Sequence, residues 1–316
     1  MTQEALAAYL ERFSTLHRNA NKARGAAPHK PVLLLAILHE IAMGRVTRNL
    51  VPLTPELVAS FQTHWDALVP PNSGWQPKLT YPFRYLQKEG FWTLVKKGHP
   101  APVQTKHEPT LSQLAMLCDG GRFADDLWPL LAESHTREVL RSHLLATYFV
   151  GQSAEVSDGA TTSYLALQAE TLKQQAQAKF RLHATVKEQS TDGYFVRSKL
   201  FPKVVKELYG FACCVCQASA RLGNSSLVDG AHILPFSEFH NDDPRNGLAL
   251  CKNHHWGFDI GAWSLSNSYE IIVAPKLIND LVYVEQGKPL VKPKDSTCFP
   301  DATALQWHRK RHNLIP

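Results

Sequence analysis

Two short ligand motifs dictate how the last third of this chain folds. The first is Cys213-x-x-Cys216, and the second, 35 residues after Cys216, is Cys251-Lys-Asn-His254. Three thiolates and one imidazole form a Cys₃His set, which is typical of tetrahedral structural zinc. Because four protein ligands close the coordination shell, we expect this zinc to hold the fold together and to leave catalysis to other residues.

The remaining cysteines support a metal site more than a disulfide framework. The chain has six cysteines, and three of them (Cys213, Cys214 and Cys216) fall within four residues, which is poor geometry for disulfides. The alternative, that Cys213 and Cys251 are simply small buried residues, stays open at this point. No segment resembles a signal peptide, and the most apolar run, Pro31 to Leu38, is far shorter than the roughly 20 residues of a membrane span. We therefore expect a protein of the reducing cytoplasm.

Length and composition predict an α+β protein with two domains joined by a linker. A chain of 316 residues exceeds one typical domain, and its net charge of +6 is compatible with a polyanionic partner but is weak evidence alone. Residues 1–150 are expected to form a helix-rich domain, 151–195 a linker with a polar helix, and 196–316 the zinc domain. The local predictions are helices at Pro31–Ala42, Thr54–Leu68, Phe123–Phe149 and Tyr164–Phe180, a strand at Phe91–Val95, and loops at Pro70–Pro82 and Gly151–Ser163.

Three ordered segments lie between and around the zinc motifs. They are Leu227-Val-Asp-Gly-Ala-His-Ile-Leu-Pro235, Asp242-Asp-Pro-Arg-Asn-Gly-Leu-Ala-Leu250 and Cys251-Lys-Asn-His-His-Trp-Gly-Phe-Asp259. These segments resemble the HNH (ββα-metal) nucleases, in particular a subgroup with an Ala-His-Ile first histidine and a His-x-x-Phe-Asp ending. The resemblance implies hydrolysis of a phosphodiester, which needs a water nucleophile, a base for its proton and positive charge beside the phosphorus. Histidine suits the base because its reference pKa of about 6.5 lies near neutrality.

The resemblance implies a role for each element of the motif. His232 would be the general base, Asn246 would fix the loop that orients it, and His255 would hold a divalent cation that contacts the scissile phosphate. An ion that prefers oxygen ligands, Mg²⁺ or Mn²⁺, is expected there, distinct from the zinc. His254 is assigned to zinc by its spacing from Cys251, although the neighbouring His255 is able to exchange roles with it.

One position departs from the pattern of many HNH enzymes. They carry an aspartate directly before the first histidine as the second metal ligand, and here that residue is Ala231. Asp229 and Asp259 are the available carboxylates, and Asp259 shares a helix face with His255 because the two are four residues apart. Both remain candidates. Asp243 is expected to be a solvated loop residue.

The N-terminal domain carries cations and aromatic residues suited to nucleic acid. Lys22, Arg24, His29 and Lys30 precede the first buried helix, and Tyr81-Pro-Phe-Arg-Tyr85 places aromatic surface beside Arg84. Two stretches, Ala27-Pro-His-Lys-Pro-Val-Leu-Leu-Leu35 and Tyr81-Pro-Phe-Arg-Tyr-Leu-Gln87 followed by Gly90-Phe-Trp92, are similar to the sulfur-binding domains of phosphorothioate-dependent restriction endonucleases. Those enzymes also place this domain ahead of an HNH domain.

This second resemblance implies which residues read the DNA. Tyr81, Pro82 and Tyr85 would form an apolar cup for sulfur, and His29, Lys30 and Arg84 would pair with phosphate charge or a base edge. Position 85 departs from the pattern, since a small residue is expected in the cup.

The sequence thus predicts an endonuclease that recognises phosphorothioated double-stranded DNA and cuts nearby. Two alternatives stay open: an HNH nuclease that reads methylated or otherwise modified cytosine through a flipping pocket, and a zinc-stabilised DNA-binding protein without activity. Because one HNH domain holds one active site, a homodimer is expected for double-strand breaks. No membrane partner is expected.

Overall fold

The computed structural model describes residues 2–96, 99–100, 108–152, 156–189, 191–222, 225–279 and 284–314. The chain divides into two compact units, Met1–Ala166 with Ser190–Val196, and Leu167–Gln189 with Arg197–Pro316. In the predicted linker, residues 153–155 and 190 lie outside the described residues. Among the helices of the described ranges, none is long and apolar enough to cross a membrane.

The first unit consists mainly of helices around one small sheet. Its helices are α1 (Thr2–Ser14), α2 (His29–Ala42), α3 (Pro55–Leu68), α4 (Thr80–Tyr85), α5 (Leu111–Leu117), α6 (Trp128–Ala132), α7 (Ser134–Tyr148) and the start of α8 (Asp158–Gln174). A hairpin joins β1 (Ala20–Asn21) to β2 (Gly25–Ala26), and β3 (Trp92–Lys96), β4 (His99–Pro100) and β5 (Gly120–Phe123) form an antiparallel sheet in the order β4-β3-β5.

The core of this unit forms around the apolar run that the sequence marks as a buried helix. Every residue from Val32 to Leu38 is at most 3% exposed, so α2 is apolar on all sides and is covered by α3, α7 and α4. The Thr54 hydroxyl accepts a hydrogen bond from the Leu57 amide at 3.2 Å and caps α3. The predicted helices at Pro31–Ala42 and Thr54–Leu68 and the predicted strand at Phe91–Val95 are confirmed, and their ends agree with the structure within two residues.

Three local predictions for this region were wrong. The continuous helix at Phe123–Phe149 is instead a strand end followed by α6 and α7, because Glu133 adopts extended backbone and its carboxylate caps α7 by accepting the amides of His135 and Thr136. The predicted loop at Pro70–Pro82 contains the first residues of α4. The small, polar stretch after Gly151 becomes helical at Asp158, whose carboxylate accepts a hydrogen bond from Arg45 at 2.7 Å.

The second unit contains the ββα arrangement. Its helices are α9 (Val186–Gln189), α10 (Asp192–Leu208, which begins in the first unit), α11 (Phe236–Phe239), α12 (Lys252–Asp259) and α13 (Ala302–Arg311). Its strands are β6 (Arg221–Leu222), β7 (Ser225–Ser226), β8 (Val228–His232), β9 (Gly247–Cys251), β10 (Trp263–Leu265) and β11 (Ile271–Val273), paired as three antiparallel hairpins. Strands β8 and β9 and helix α12 form the ββα element.

The β8–β9 hairpin separates two kinds of side chain. A Cβ atom on Gly230 would lie 2.6 Å from the Cα atom of Pro202, so α10 packs directly on one face of β8. Because side chains alternate along a strand, His232 shares that face with Gly230. Asp229 points to the other face, where α12 lies.

Candidate functional site

The four predicted zinc ligands lie together in the second unit. The ligand atoms of Cys213, Cys216, Cys251 and His254 are all within 4.8 Å of one another. The Cys216 and Cys251 sulfurs are 3.9 Å apart, and Cys213 Sγ is 3.5 Å from His254 Nδ1. Tetrahedral zinc with Zn–S near 2.3 Å and Zn–N near 2.0 Å places such atoms roughly 3.5–3.8 Å apart, so the residues fit the ion.

Local backbone structure brings the two cysteine motifs together. Gln217 adopts a left-handed conformation with φ of 59°, and its amide donates to the Cys213 carbonyl at 2.8 Å, which folds the first motif into a tight knuckle. The Cys214 amide donates to the Ala249 carbonyl, which ties that knuckle to β9. Cys251 ends β9 and directly precedes α12. The cluster of three cysteines and one histidine therefore lies where the hairpin, the knuckle and the helix meet.

The adjacent histidines of α12 have different surroundings. His254 is 3% exposed and points into the cysteine cluster, whereas the His255 side chain is 28% exposed and contacts carboxylates. Successive residues of a helix are about 100° apart around its axis, so the two rings diverge. This places His254 with the cysteines and leaves His255 for another role.

His255 lies between the two candidate carboxylates. Its Nδ1 atom is 3.1 Å from Asp229, and its Nε2 atom is 3.5 Å from Asp259. Among the described residues, no group of three or more such side chains other than the cysteine cluster is placed to hold one ion, so Asp229, His255 and Asp259 do not converge on one point. An ion shared by His255 and one carboxylate leaves the other to orient the ring through its second nitrogen.

Strand geometry favours Asp229 over Asp259 as a metal ligand. Asp229 lies two residues before Ala231 on β8 and shares its strand face, which is the face of the aspartate in the motif of many HNH enzymes. Asp229 is less exposed than Asp259, with side-chain exposures of 30% and 57%. Burial raises the pKa of Asp229, but hydrogen bonds from Lys252 and His255 outweigh it and lower the pKa overall. The carboxylate is therefore ionised and oriented toward the helix.

His232 lies at the end of β8 in a rigid aromatic and acidic setting. Its ring stacks on Phe201 with a centroid distance of 3.9 Å and an angle of 9°. Its Nε2 atom is 3.1 Å from Asp242 Oδ1. The side chain is 20% exposed, so it is pinned on one side and open to solvent on the other. An imidazole held in this way suits proton transfer at its remaining nitrogen.

Asn246 has no exposed surface and bonds the loop after His232. Its side-chain oxygen accepts from the Leu234 amide at 2.8 Å, and its amide group donates to the carbonyls of Leu234 and Asn241 at 3.3 and 2.9 Å. These bonds join the segment following His232 to the segment preceding Asp242. The Asn246 side chain therefore bonds two segments of the loop between β8 and β9 to each other.

Sequence reasoning missed Asp242 and misplaced Asp243. Asp242 is 5% exposed, and burial raises its pKa against the lowering effects of His232, Arg197 and His240. Asp243 is 7% exposed and pairs with Arg245 at 2.6 Å, so the prediction of a solvated residue was wrong. Two adjacent aspartates in a loop carry no periodic signal, and only the path of the loop decides which one faces the histidine.

The first unit contains a basic, aromatic cleft of about 860 Å³. Its lining includes five of the six predicted DNA-contacting residues (His29, Lys30, Tyr81, Pro82 and Tyr85), and it omits Arg84. Further cations line the cleft, namely Arg18, Arg24, Lys78 and Lys88. Lys78 lies over the Tyr81 ring at 5.3 Å and Lys88 over the Tyr85 ring at 5.4 Å. Arg24 is one of the cations that the sequence marks as suited to nucleic acid, whereas the scattered positions of Arg18, Lys78 and Lys88 gave no signal for a common site.

Three of the predicted cleft residues are engaged by the protein itself. Lys30 is 8% exposed and forms an ion pair with Glu89, so phosphate must compete with a carboxylate for its ammonium. Arg84 is not part of the cleft lining, and its guanidinium lies 3.9 Å from Glu108, which does line the cleft. His29 packs against Trp65 at 4.7 Å and bonds the Gln76 carbonyl through Nε2, and burial lowers its pKa. His29 is thus better suited to shaping the cleft as a neutral ring than to carrying charge.

Comparison with known proteins divides the chain in the same way. A family model described as "HNH endonuclease" matches residues 213–266, and one described as "ScoMcrA-like, DNA sulfur-binding domain" matches residues 6–156. No curated protein gives a significant match. The first match spans every predicted zinc and catalytic residue, and the second spans the whole aromatic cleft.

Solved structures with local similarity carry related names. A "Modification dependent TagI restriction endonuclease" is 27% identical, with a TM-score of 0.31, over 37% of this chain and 38% of that one. The chain therefore spans well under half of that enzyme. The "Sulfur binding domain of SprMcrA complexed with phosphorothioated DNA" is 23% identical over 51% of this chain and 96% of that one (TM-score 0.39), and the corresponding ScoMcrA domain is 21% identical over 49% and 96% (TM-score 0.34).

Proposed function

We propose that this chain, which joins a ScoMcrA-like DNA sulfur-binding domain to an HNH endonuclease domain, is a modification-dependent endonuclease. It recognises phosphorothioated double-stranded DNA through its first unit and hydrolyses a nearby phosphodiester bond through its second. The observation that carries this proposal is the presence in one chain of a basic, aromatic cleft within the sulfur-binding match at residues 6–156 and a candidate base-and-metal site within the HNH match at residues 213–266.

The cleft is chemically suited to sulfur. Pro82 and Tyr85 both line the cleft. The Tyr85 hydroxyl donates to Glu108, so the apolar surface that these two residues offer is the proline ring and the tyrosine ring. Sulfur is larger and more weakly hydrated than oxygen, whereas a phosphate oxygen placed there loses hydrogen bonds to water. The surrounding cations Arg18, Arg24 and Lys78 attract the backbone whatever the modification.

Hydrolysis is assigned to residues of the ββα element. His232 accepts the proton of the attacking water, and Asn246 holds the loop that keeps this ring in place. Lys252, with a side chain 71% exposed, adds positive charge next to Asp229 and attracts the scissile strand. Each group acts on the phosphate backbone, which every sequence shares, so selectivity comes from the first unit.

Two metals are proposed with separate duties. Cys213, Cys216, Cys251 and His254 hold a structural zinc. His255 and Asp229 hold a divalent ion, Mg²⁺ or Mn²⁺, which when bound supplies positive charge to the phosphate, and Asp259 orients His255 through its other nitrogen.

A cleavage assay tests the proposed activity. Supercoiled plasmids with and without phosphorothioate are incubated with the full chain and Mn²⁺ or Mg²⁺, and His232→Ala serves as the inactive variant. We expect cutting of the modified plasmid by the wild type and a loss of at least 100-fold in the variant. Equal cutting of both plasmids would contradict sulfur dependence, and cutting of methylated plasmid alone would favour the modified-cytosine reader. Binding without cutting would favour an inactive DNA-binding protein.

A binding assay tests the cleft independently of cleavage. The full chain is titrated without divalent ions against matched duplexes with one phosphorothioate or none. Tyr81→Ala is expected to reduce the affinity ratio of the two duplexes toward one, because it removes a wall of the cup. Met116→Ala, which trims a side chain 78% exposed outside the cleft lining, serves as control and keeps the ratio.

Assembly and location complete the proposal. One active site per chain cuts one strand at a time, so a homodimer on DNA is proposed for double-strand breaks, and sedimentation with and without duplex tests it. None of the six cysteines, all of which lie within the described residues, forms a disulfide, which fits the proposed site of action in the reducing cytoplasm.

A further inference from the structure

We propose that Asp242 is a positioning residue that fixes the tautomer of His232, so that the proton of the attacking water goes to Nδ1. The role of this pair in cleavage rests on the proposed function. The tautomer itself does not, and it can be measured in the absence of any substrate.

The contact between the two side chains determines where the ring proton lies. Asp242 Oδ1 is 3.1 Å from His232 Nε2, and the stack on Phe201 prevents the ring from turning away. An ionised carboxylate only accepts hydrogen bonds, so Nε2 carries the hydrogen and Nδ1 the lone pair. In the described part of the chain, Nδ1 makes no hydrogen bond to protein, and it is therefore the nitrogen available to water.

Burial raises the pKa of Asp242, and the charged groups around it oppose that shift and favour the ionised form. Besides His232 on β8, the groups that lower its pKa are Arg197 on α10 and His240 in its own loop. Arg197 is held by a hydrogen bond of 2.9 Å from Nη1 to the Gln168 side chain. Within the described residues, Asp242 Oδ2 and Arg197 Nε are both buried without a hydrogen-bond partner, so the carboxylate relies on the charge of Arg197 rather than on a direct bond.

The proposed proton transfer balances without any further reactant. The O–H bond of water breaks, its proton binds Nδ1, and the oxygen forms the new bond to phosphorus. The bond from phosphorus to the leaving sugar oxygen breaks, and solvent protonates that oxygen. Asp242 keeps its negative charge and stabilises the imidazolium that forms.

An amide at position 242 should reverse the tautomer. Asp242→Asn replaces two carboxylate oxygens, which both accept hydrogen bonds, with one amide oxygen that accepts and one NH₂ group that donates. The guanidinium of Arg197 favours the amide oxygen on its side, so the amide NH₂ faces His232 Nε2. The ring then presents its lone pair to that NH₂ and carries its hydrogen on Nδ1, where it blocks proton acceptance.

Nitrogen NMR of ¹⁵N-histidine-labelled full chain measures this directly, without DNA. The His232 signals are identified by their loss in His232→Gln. We expect the Nε2–H tautomer in the wild type and the Nδ1–H tautomer in Asp242→Asn. A wild-type ring in the Nδ1–H form, or a variant with an unchanged tautomer, would overturn the proposal. Because the wild-type tautomer is measured without Asp242→Asn, a failure of that variant to fold does not prevent the test.

Cleavage of phosphorothioated plasmid then measures the consequence. Asp242→Asn is expected to lower kcat by about 10²–10⁴-fold with unchanged DNA affinity and zinc content, as for other misoriented histidine bases. Its remaining activity should extend to lower pH, because the imidazolium has lost its carboxylate neighbour. Glu238→Gln, an exposed acid of the same region, is the control and keeps the wild-type rate. A variant with full activity would overturn the positioning role, whereas an inactive wild type with the expected tautomers would contradict only the proposed function.

Discussion

The buried side-chain amide of Asn246 leads to a testable prediction about the loop that follows His232. It satisfies three buried backbone groups: the amide of Leu234 and the carbonyls of Leu234 and Asn241. Asn246→Ala removes all three bonds and leaves those groups unsatisfied inside the second unit. If the Asn246 amide acts only by holding this loop, the stability of the second unit and the cleavage activity should fall together.

The magnitude follows from the number of groups left without a partner. Each unsatisfied buried polar group costs about 1–3 kcal/mol. Three groups would cost roughly 3–9 kcal/mol, and because a loop can relax toward water we expect the lower part of this range, about 3–5 kcal/mol. Since domains are stable by about 5–15 kcal/mol, the variant should fold with a much reduced margin.

Urea unfolding of the full chain, followed by zinc release to a chromogenic chelator, reports on the second unit selectively. The midpoint for Asn246→Ala should fall by about 1–5 M if the urea dependence is about 1–3 kcal/mol per M. Asn253→Ala is the matched control, because it removes the same amide from an exposed position on α12 and should move the midpoint little.

The combined readings of stability and cleavage decide the role of Asn246. Loss of cleavage with an unchanged unfolding midpoint would refute the loop-fixing argument and place the amide on the substrate instead. A lowered midpoint with normal cleavage at low urea would refute the idea that the loop must be fixed for His232 to act.

Three other predictions concern the zinc and the first unit. Cys251→Ala should abolish bound zinc and unfold the second unit, since structural zinc contributes about 10–16 kcal/mol in small domains; elemental analysis and circular dichroism test this, and retained zinc would refute the site. Asp192, whose carboxylate accepts the Leu79 amide at 2.9 Å, has its pKa raised by burial to about 6. Because the pKa of this carboxyl is higher in the folded chain than in the unfolded chain, the fold is favoured below pH 4 and loses stability as the pH rises through 6. Asp192→Asn should therefore stabilise the chain by about 3 kcal/mol at pH 8 and have no such effect below pH 4. Thermal unfolding measured across this pH range tests the prediction. Lys30→Ala removes the lysine partner of the buried Glu89 side chain, which keeps the His17 amide and ring as partners, so it should destabilise the first unit by about 1–3 kcal/mol, whereas an unchanged melting temperature would mean that water already reaches that carboxylate.

Local sequence patterns predicted several features correctly because their causes are local. The Cys-x-x-Cys and Cys-x-x-His spacings place two ligands on one short turn each, and the four ligands meet as predicted. The all-apolar run of α2 and the Thr54 cap of α3 also depend on residues within a few positions. The break at Glu133 was missed because a glutamate is favourable inside a helix, and only its capping contacts reveal the interruption.

Contacts between distant residues were beyond the reach of the sequence. Lys30 and Glu89 are 59 positions apart, and nothing in either segment signals that the cation is committed to a buried acid. The same holds for Asp242, which faces His232 only because the intervening loop turns back through Asn246. Lys78 and Lys88 join the cleft through the fold of α4 and its flanking residues.

The sequence by itself determined the chemical parts of this protein: a zinc ligand set, two further histidines, a buried asparagine and an aromatic segment beside cations. These features depend only on the type of each residue and on short separations along the chain, and the covalent structure fixes both whatever the fold. The tertiary structure decided which carboxylate lies next to each ring nitrogen of His232 and His255. It also decided that Lys30 pairs with an acid of the protein itself. These properties depend on distances of about 3 Å between residues far apart in the chain, where a hydrogen bond either forms or does not.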